Sequence, residues 1–165
     1  VPRYTYFFNS GLDIDFKLNK TFKLFTGVDL KNVGFIIKPN KDSIYKHRVY
    51  TLGAPVGFKL NFAHDKVIFK TGADFGLALN YKWKTILNDK KTKKNEWFSD
   101  KTALFFPSVF AGVSVHGVAV CANYYLSEFF NPDNVTTGAM ETQLFTIGLG
   151  LNTSDMFKKK KKDKK

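Results

Sequence analysis

The residues able to do chemistry in this chain are few and mostly charged. Asp13 and Asp15 stand two apart in "GLDIDFKLNK", with Lys17 two further on, so in an extended strand all three share one face. Paired carboxylates are what general acid–base catalysis uses. Lysines on the same face make an ion-paired set instead, and Lys23, Asp29, Lys59, Lys70, Asp74 and Lys82 extend that face along the chain. The three histidines, His47, His64 and His116, fall at a strand start and at two turns. No serine, histidine and acid gather at a shared strand end, as an outer-membrane lipase or deacylase would need. Cys121 is the single cysteine, has no metal co-ligands, and reads as a small structural residue. The glycines have strand spacing and form no phosphate-cradling loop. The expectation is a non-enzyme with no cofactor and no metal.

The elements that position these residues are strands, because apolar residues recur at every second position. Seven runs alternate in this way. The first sets Leu12, Ile14, Phe16 and Leu18 against Asp13, Asp15 and Lys17; the second sets Leu24, Val28 and Leu30 against Lys23, Asp29 and Lys31. Leu52, Val56 and Phe58 oppose Lys59 in the third, while Phe75, Leu77, Leu79, Tyr81 and Trp83 oppose Lys70, Asp74 and Lys82 in the fourth. Val113, Val120, Ile147 and Leu149 mark the apolar faces of the last three. Most runs keep the pattern for about 10 residues, longer than the roughly 5–6 of ordinary strands and close to the 9–11 of tilted membrane-spanning ones. Short turns at "NKT", "AHDK" and "HG" alternate with longer polar links at roughly 38–47, 85–102 and 131–142, as in outer-membrane barrels. The longest link, 85–102, is expected to be mobile.

Two arrangements share this pattern. A soluble calycin-like barrel turns its apolar face inward around a hydrophobic ligand and leaves the charges solvated. A membrane barrel exchanges the faces. Small residues crowd the polar face (Gly53, Gly57, Gly72, Gly76, Gly112), as a narrow interior requires. Aromatics on the apolar face gather near strand ends, with Phe16, Phe22, Phe62 and Phe69 by the short turns and Tyr6, Phe8, Tyr50, Tyr81, Trp83 and Phe105 by the long links. Such clusters resemble interfacial girdles. The expected fold is all-β, an antiparallel up-and-down transmembrane β-barrel. Its lipid-facing set comprises Leu12, Ile14, Phe16, Leu24, Val28, Leu52, Val56, Phe58, Phe75, Leu77, Leu79, Val113, Val120, Ile147 and Leu149. Its luminal polar set comprises Asp13, Asp15, Lys17, Lys23, Asp29, Lys59, Lys70, Asp74 and Lys82. A closed barrel of this kind has an even number of strands with both ends in the periplasm. Seven visible runs therefore imply an eighth strand before "VPRYT", missing from this sequence or supplied by another segment.

Bulk composition fits. The 165 residues suffice for one domain, 44% are hydrophobic and 16% aromatic, yet mean hydropathy is −0.22. No apolar run approaches the ~18 residues of a spanning helix. The net charge of +12 is partly a property of the tail "KKKKKDKK". Without those eight residues, 19 basic and 13 acidic ones remain, a net of +6. Lys158, Lys159, Lys160, Lys161, Lys162, Lys164 and Lys165 form a tail that repels itself and either binds polyanions or is merely solvated. The domain reading is a barrel over 1–157 and a disordered periplasmic tail over 158–165. The start "VPRYTYFF" is compatible with a removed targeting segment.

"HRVYTLGAPVGFKLNF" followed by "VIFKTGADFGLALNYKWK" resembles the Bacteroidetes-type outer-membrane β-barrel domain, of the OmpA-like and PorT-like kind. "VFAGVSVHGVAVCANYYLSEFFNPD" and "QLFTIGLGLNTSDMF" are similar to its last hairpin and closing strand. The resemblance implies a non-enzymatic integral outer-membrane protein, a scaffold or an accessory subunit of a cell-envelope complex. Its partners would be outer-membrane lipid and other envelope proteins, not nucleic acid. Such barrels commonly stop at an aromatic, whereas here the tail follows Phe157.

Overall fold

The computed structural model describes residues 9–40, 43–62, 66–87, 90–131 and 143–151. Every regular element among them is a β-strand: β1 (Ser10–Lys17), β2 (Phe22–Asn40), β3 (Ser43–Phe62), β4 (Val67–Leu87), β5 (Lys90–Trp97), β6 (Phe105–Val115), β7 (Val118–Glu128) and β8 (Gln143–Leu151). Antiparallel neighbours follow the order β1-β2-β3-β4-β6-β7-β8, and the sheet curls into a half-barrel of up-and-down type. Among the described residues no pairing joins β1 to β8.

The turns follow from local chemistry. At "NKT" the Asn19 side-chain oxygen accepts hydrogen bonds from the amides of Thr21 (2.8 Å) and Phe22 (2.6 Å), closing the β1–β2 hairpin. At "HG" both residues have positive φ, 50° for His116 and 90° for Gly117, as a two-residue hairpin loop with the right twist requires. Pro55 lies mid-strand in β3 and has no N–H. The β2–β3 pairing is interrupted opposite it, between Thr26↔Val56 and Asp29↔Gly53.

Two links expected to be loops are strand. β2 runs to Asn40 and β3 begins at Ser43, so most of 38–47 is a hairpin arm. β4 continues to Leu87 and returns as β5, which pairs residue by residue from Asn80↔Trp97 to Leu87↔Lys90. The charged "KKTKKNEW" is thus an ordered arm of a hairpin, held by its backbone ladder despite poor strand propensity. The sheet has eight strands, but the eighth is β5 inside this link. The expected strand before "VPRYT", residues 1–8 with Tyr6 and Phe8, His64, most of the 131–142 link, Phe157 and the lysine tail all lie outside the described residues.

One irregularity re-aims side chains. In β4, Ala78 pairs with Thr51 but Asn80 pairs with Tyr50, so the strand carries one extra residue there. Such a bulge reverses the alternation beyond it. Tyr81, expected outside, is therefore 3% exposed in the core, and Trp83 packs against that core. Lys82, expected inside, is exposed on the outer face, its ammonium 4.9 Å from the Tyr50 ring centroid.

Candidate functional site: a charged concave face and a basic outer rim

The concave face has two storeys. Toward the short turns it is ionic. Lys31 lies 2.6 Å from Asp74 and 3.0 Å from Asp29, with the Lys31 and Asp74 side chains 9% and 2% exposed. Lys59 bridges Asp15 at 2.5 Å and Asp13 at 3.0 Å, and Lys70 reaches Asp13 at 2.8 Å. Charges as poorly hydrated as those of Lys31 and Asp74 persist only when paired. Two inward aromatics complete the layer. Phe25 lies 4.7 Å from the Lys59 ammonium and 4.3 Å from that of Lys70, and Phe110 lies 5.4 Å from Lys70.

Glycines make room for these groups. A Cβ on Gly53 would collide with Asp29 and sit 2.6 and 2.8 Å from the two Asp74 oxygens. Gly57 and Gly72 face each other across β3 and β4, and a Cβ on either would stand 3.0 Å from the ring of Phe25 or Phe110 respectively. The absent side chains leave the space that the carboxylates and rings fill.

Toward the long links the interior is aromatic. Phe129, fully buried, meets Phe35 at 4.8 Å, Phe106 at 5.8 Å and Phe130 at 5.1 Å between centroids. The segment before β6 is pinned to it by the amide of Ala103 donating to the Phe129 carbonyl at 3.2 Å. His47 stacks on Tyr81, whose hydroxyl lies 2.7 Å from Nδ1. At this height the outer side of the sheet carries Lys46, Arg48 and Lys82, so it stands beyond the apolar band. Burial pushes the His47 imidazole down to about 4 and the Tyr81 phenol up, the latter helped by Glu96.

Of the residues expected to be lipid-facing, Leu12, Ile14, Phe16, Val28, Leu52, Val56, Phe58, Phe75, Val113, Val120, Ile147 and Leu149 lie exposed on the convex face; Leu24, Leu77 and Leu79 are half-buried. Of those expected to be luminal, Lys23, Lys59 and Asp74 are buried, and Asp29 and Lys70 half-buried. Asp13 and Asp15 share that face but belong to the exposed strand β1, as does Lys17. Asp13 and Asp15 are thus neighbours, engaged with lysines rather than poised for acid–base work. His47 and His116 lie at opposite ends, and among the described residues no three His, Cys, Asp or Glu side chains cluster to hold a metal. Cys121 faces inward opposite Gly112 and Gly148.

Sequence reading overlooked Phe25 and Phe110, although both stand on the glycine-rich parity of their strands. It also overlooked Trp97. With Phe98, Leu104 and Phe105 it forms an exposed aromatic and apolar rim at the long-link end. No protein-family model, curated protein or solved structure matches the chain.

Proposed function

We propose that this chain is a non-enzymatic integral β-barrel protein of a bacterial outer membrane, with its interior filled by side chains, serving as a scaffold or accessory subunit of an envelope complex. The observation that carries the proposal is the polarity of the two faces: the exposed convex face is apolar, and the charges are paired on the concave one, buried at Lys31–Asp74 and partly covered where β1 supplies the carboxylate. The dimensions agree. From Leu52 to Phe62 the outward residues of β3 are apolar, and that length of strand, about 33 Å at ~3.3 Å per residue, gives about 25 Å of height at a tilt near 40°. The calycin-like alternative needs the apolar face inward.

The sequence resemblance to OmpA-like and PorT-like domains favours the same reading, with the short turns and C-terminus on the periplasmic side. Closure follows from strand direction. β1 and β8 run the same way, being separated by alternating antiparallel neighbours. One strand running opposite to both fits between them and makes eight membrane-spanning strands with β5 outside the count.

The test is extraction into detergent with the outer membrane, heat-modifiable gel mobility, and a depth series. Val56→Arg, mid-band on β3, is expected to block assembly at a cost of about 2–4 kcal/mol, and Phe62→Arg at the band edge to cost about 0–1 kcal/mol. A buffer-soluble monomer indifferent to both substitutions would overturn the proposal.

A further inference from the structure

Above the apolar band the outer face changes character row by row. Leu30, Leu52, Leu77 and Phe105 pair across β2, β3, β4 and β6 as the last apolar row. Next come Asn32, Tyr50, Asn80 and Trp97. The row above holds Gly34, Arg48, Lys82 and Asn95, and the one above that Ile36, Lys46, Lys84 and Lys93. Lys91 follows opposite Ile86.

Cross-strand partners stand about 4.5–5.5 Å apart, so Lys46, Lys84 and Lys93 make a ladder of like charges across three strands, a destabilising arrangement. Among the described residues no carboxylate pairs with these three. Partial burial, and then the neighbouring Lys93, Lys46, Lys91 and Arg48, draw the Lys84 ammonium below its usual range. Two rows below the ladder, under Arg48 and Lys82, Asn80 is 4% exposed, with neither its side-chain oxygen nor its nitrogen hydrogen-bonded. The Asn80 amide nitrogen is thus a buried donor without an acceptor, below a run of cations that no carboxylate of the described residues neutralises.

We propose that the outer rim formed by Arg48, Lys82, Lys46, Lys84 and Lys93, with Asn80 at its base, binds phosphorylated lipid headgroups of the membrane leaflet on the long-link side. The succession of apolar row, Tyr50–Trp97 row and cationic rows is the order in which a leaflet presents hydrocarbon, interface and phosphate. The proposal rests on the membrane reading above. It adds that this leaflet is recognised by its charge.

The test uses the full chain folded into phosphatidylcholine vesicles containing phosphatidic acid, with one or the other lipid brominated. Of the two tryptophans, Trp97 is exposed on the rim and reports the lipid beside it. Brominated phosphatidic acid is expected to quench more strongly than its share of the bilayer predicts, and added NaCl to reduce the excess. K46Q/K84Q/K93Q is expected to weaken the preference on the order of 100-fold, and Lys84→Gln alone about fivefold. Equal quenching by both lipids in the unmodified chain, or a preference unchanged in both variants, overturns the site but leaves the membrane reading intact. No quenching by either lipid overturns the membrane reading itself. Loss of the preference on adding inorganic phosphate at matched ionic strength would assign the rim to a free anion, and loss only on deleting Lys158–Lys165 would assign it to the tail. Either result refutes the proposal.

Discussion

Gly53→Ala tests the ionic storey directly. The new methyl would overlap Asp29 and stand 2.6 and 2.8 Å from the two Asp74 oxygens, so both carboxylates must withdraw by more than half an ångström. Each withdrawal lengthens a bridge to Lys31, now 2.6 Å to Asp74 and 3.0 Å to Asp29. At an effective dielectric near 20, stretching either bridge by about 0.7 Å costs about 1 kcal/mol. Overpacking adds about 1–3 kcal/mol, and the stiffer unfolded chain returns about 0.4–1 kcal/mol. The net expectation is a destabilisation of about 2–5 kcal/mol, read as a lower urea midpoint of the protein folded in detergent.

Gly148→Ala is the matched control. A Cβ there meets nothing within 4 Å, so it is expected to be neutral or slightly stabilising. Asp29→Ala removes one of the two colliding carboxylates and, in the Gly53→Ala background, is expected to cost at least about 1 kcal/mol less than in the parent. If Gly53→Ala is no worse than Gly148→Ala, or the two changes at 29 and 53 simply add, the close approach of the carboxylates over Gly53 is wrong.

Further outcomes follow from the upper storey and the sheet edges. His47 has a folded pKa of about 4 against an ordinary 6.5, so the unfolded chain binds the extra proton first. The urea midpoint should therefore hold steady above pH 6.5 and fall as pH drops toward 4, and His47→Gln should flatten that slope. In a Cys121→Ser background, Leu12→Cys with Val28→Cys should form a disulfide, because these residues pair across β1 and β2. Ile14→Cys with Ile147→Cys should not if, as proposed, one further strand lies between β1 and β8, since two strand spacings are about 10 Å, beyond the ~7 Å reach of a disulfide; ready cross-linking would mean direct closure.

Much of the fold was legible because one physical signal, apolar alternation, determines both strand and facing. The runs around Leu12, Val28, Leu52, Phe75, Val113, Val120 and Ile147 are all strands with those residues outward. The failures have separate causes. "ALNY" carries no glycine or proline to announce the bulge at Leu79 and Asn80, so one inserted residue moved Tyr81 and Trp83 inward and Lys82 outward. "KKTKKNEW" reads as solvated loop because its side chains dislike strands, and only its partner β4 supplies the ladder that makes it one. The ionic partners were legible as a set but not as pairs. That Lys59 bridges Asp13 and Asp15 while Lys31 bridges Asp29 and Asp74 depends on sheet curl, which brings non-neighbouring strands β1 and β3 within reach.

The treatment of lysine on the two sides of the sheet is itself informative. Inside, Lys31, Lys59 and Lys70 each hold a carboxylate within 3.0 Å, and Lys59 and Lys70 also face the Phe25 ring. Outside, at the rim, Lys46, Lys84 and Lys93 stand in a row without acidic partners among the described residues. A cation needs a built-in partner where water is scarce, and none where water or a mobile anion supplies it. The concave face therefore neutralises its own cations, and the rim is the side that, on the proposal above, a lipid phosphate would neutralise. Between them lies a convex band carrying no charge from Leu52 to Phe62 on its outward positions, which neither water nor a salt bridge would select. The proposed bilayer setting accounts for both the paired concave charges and the uncharged convex band.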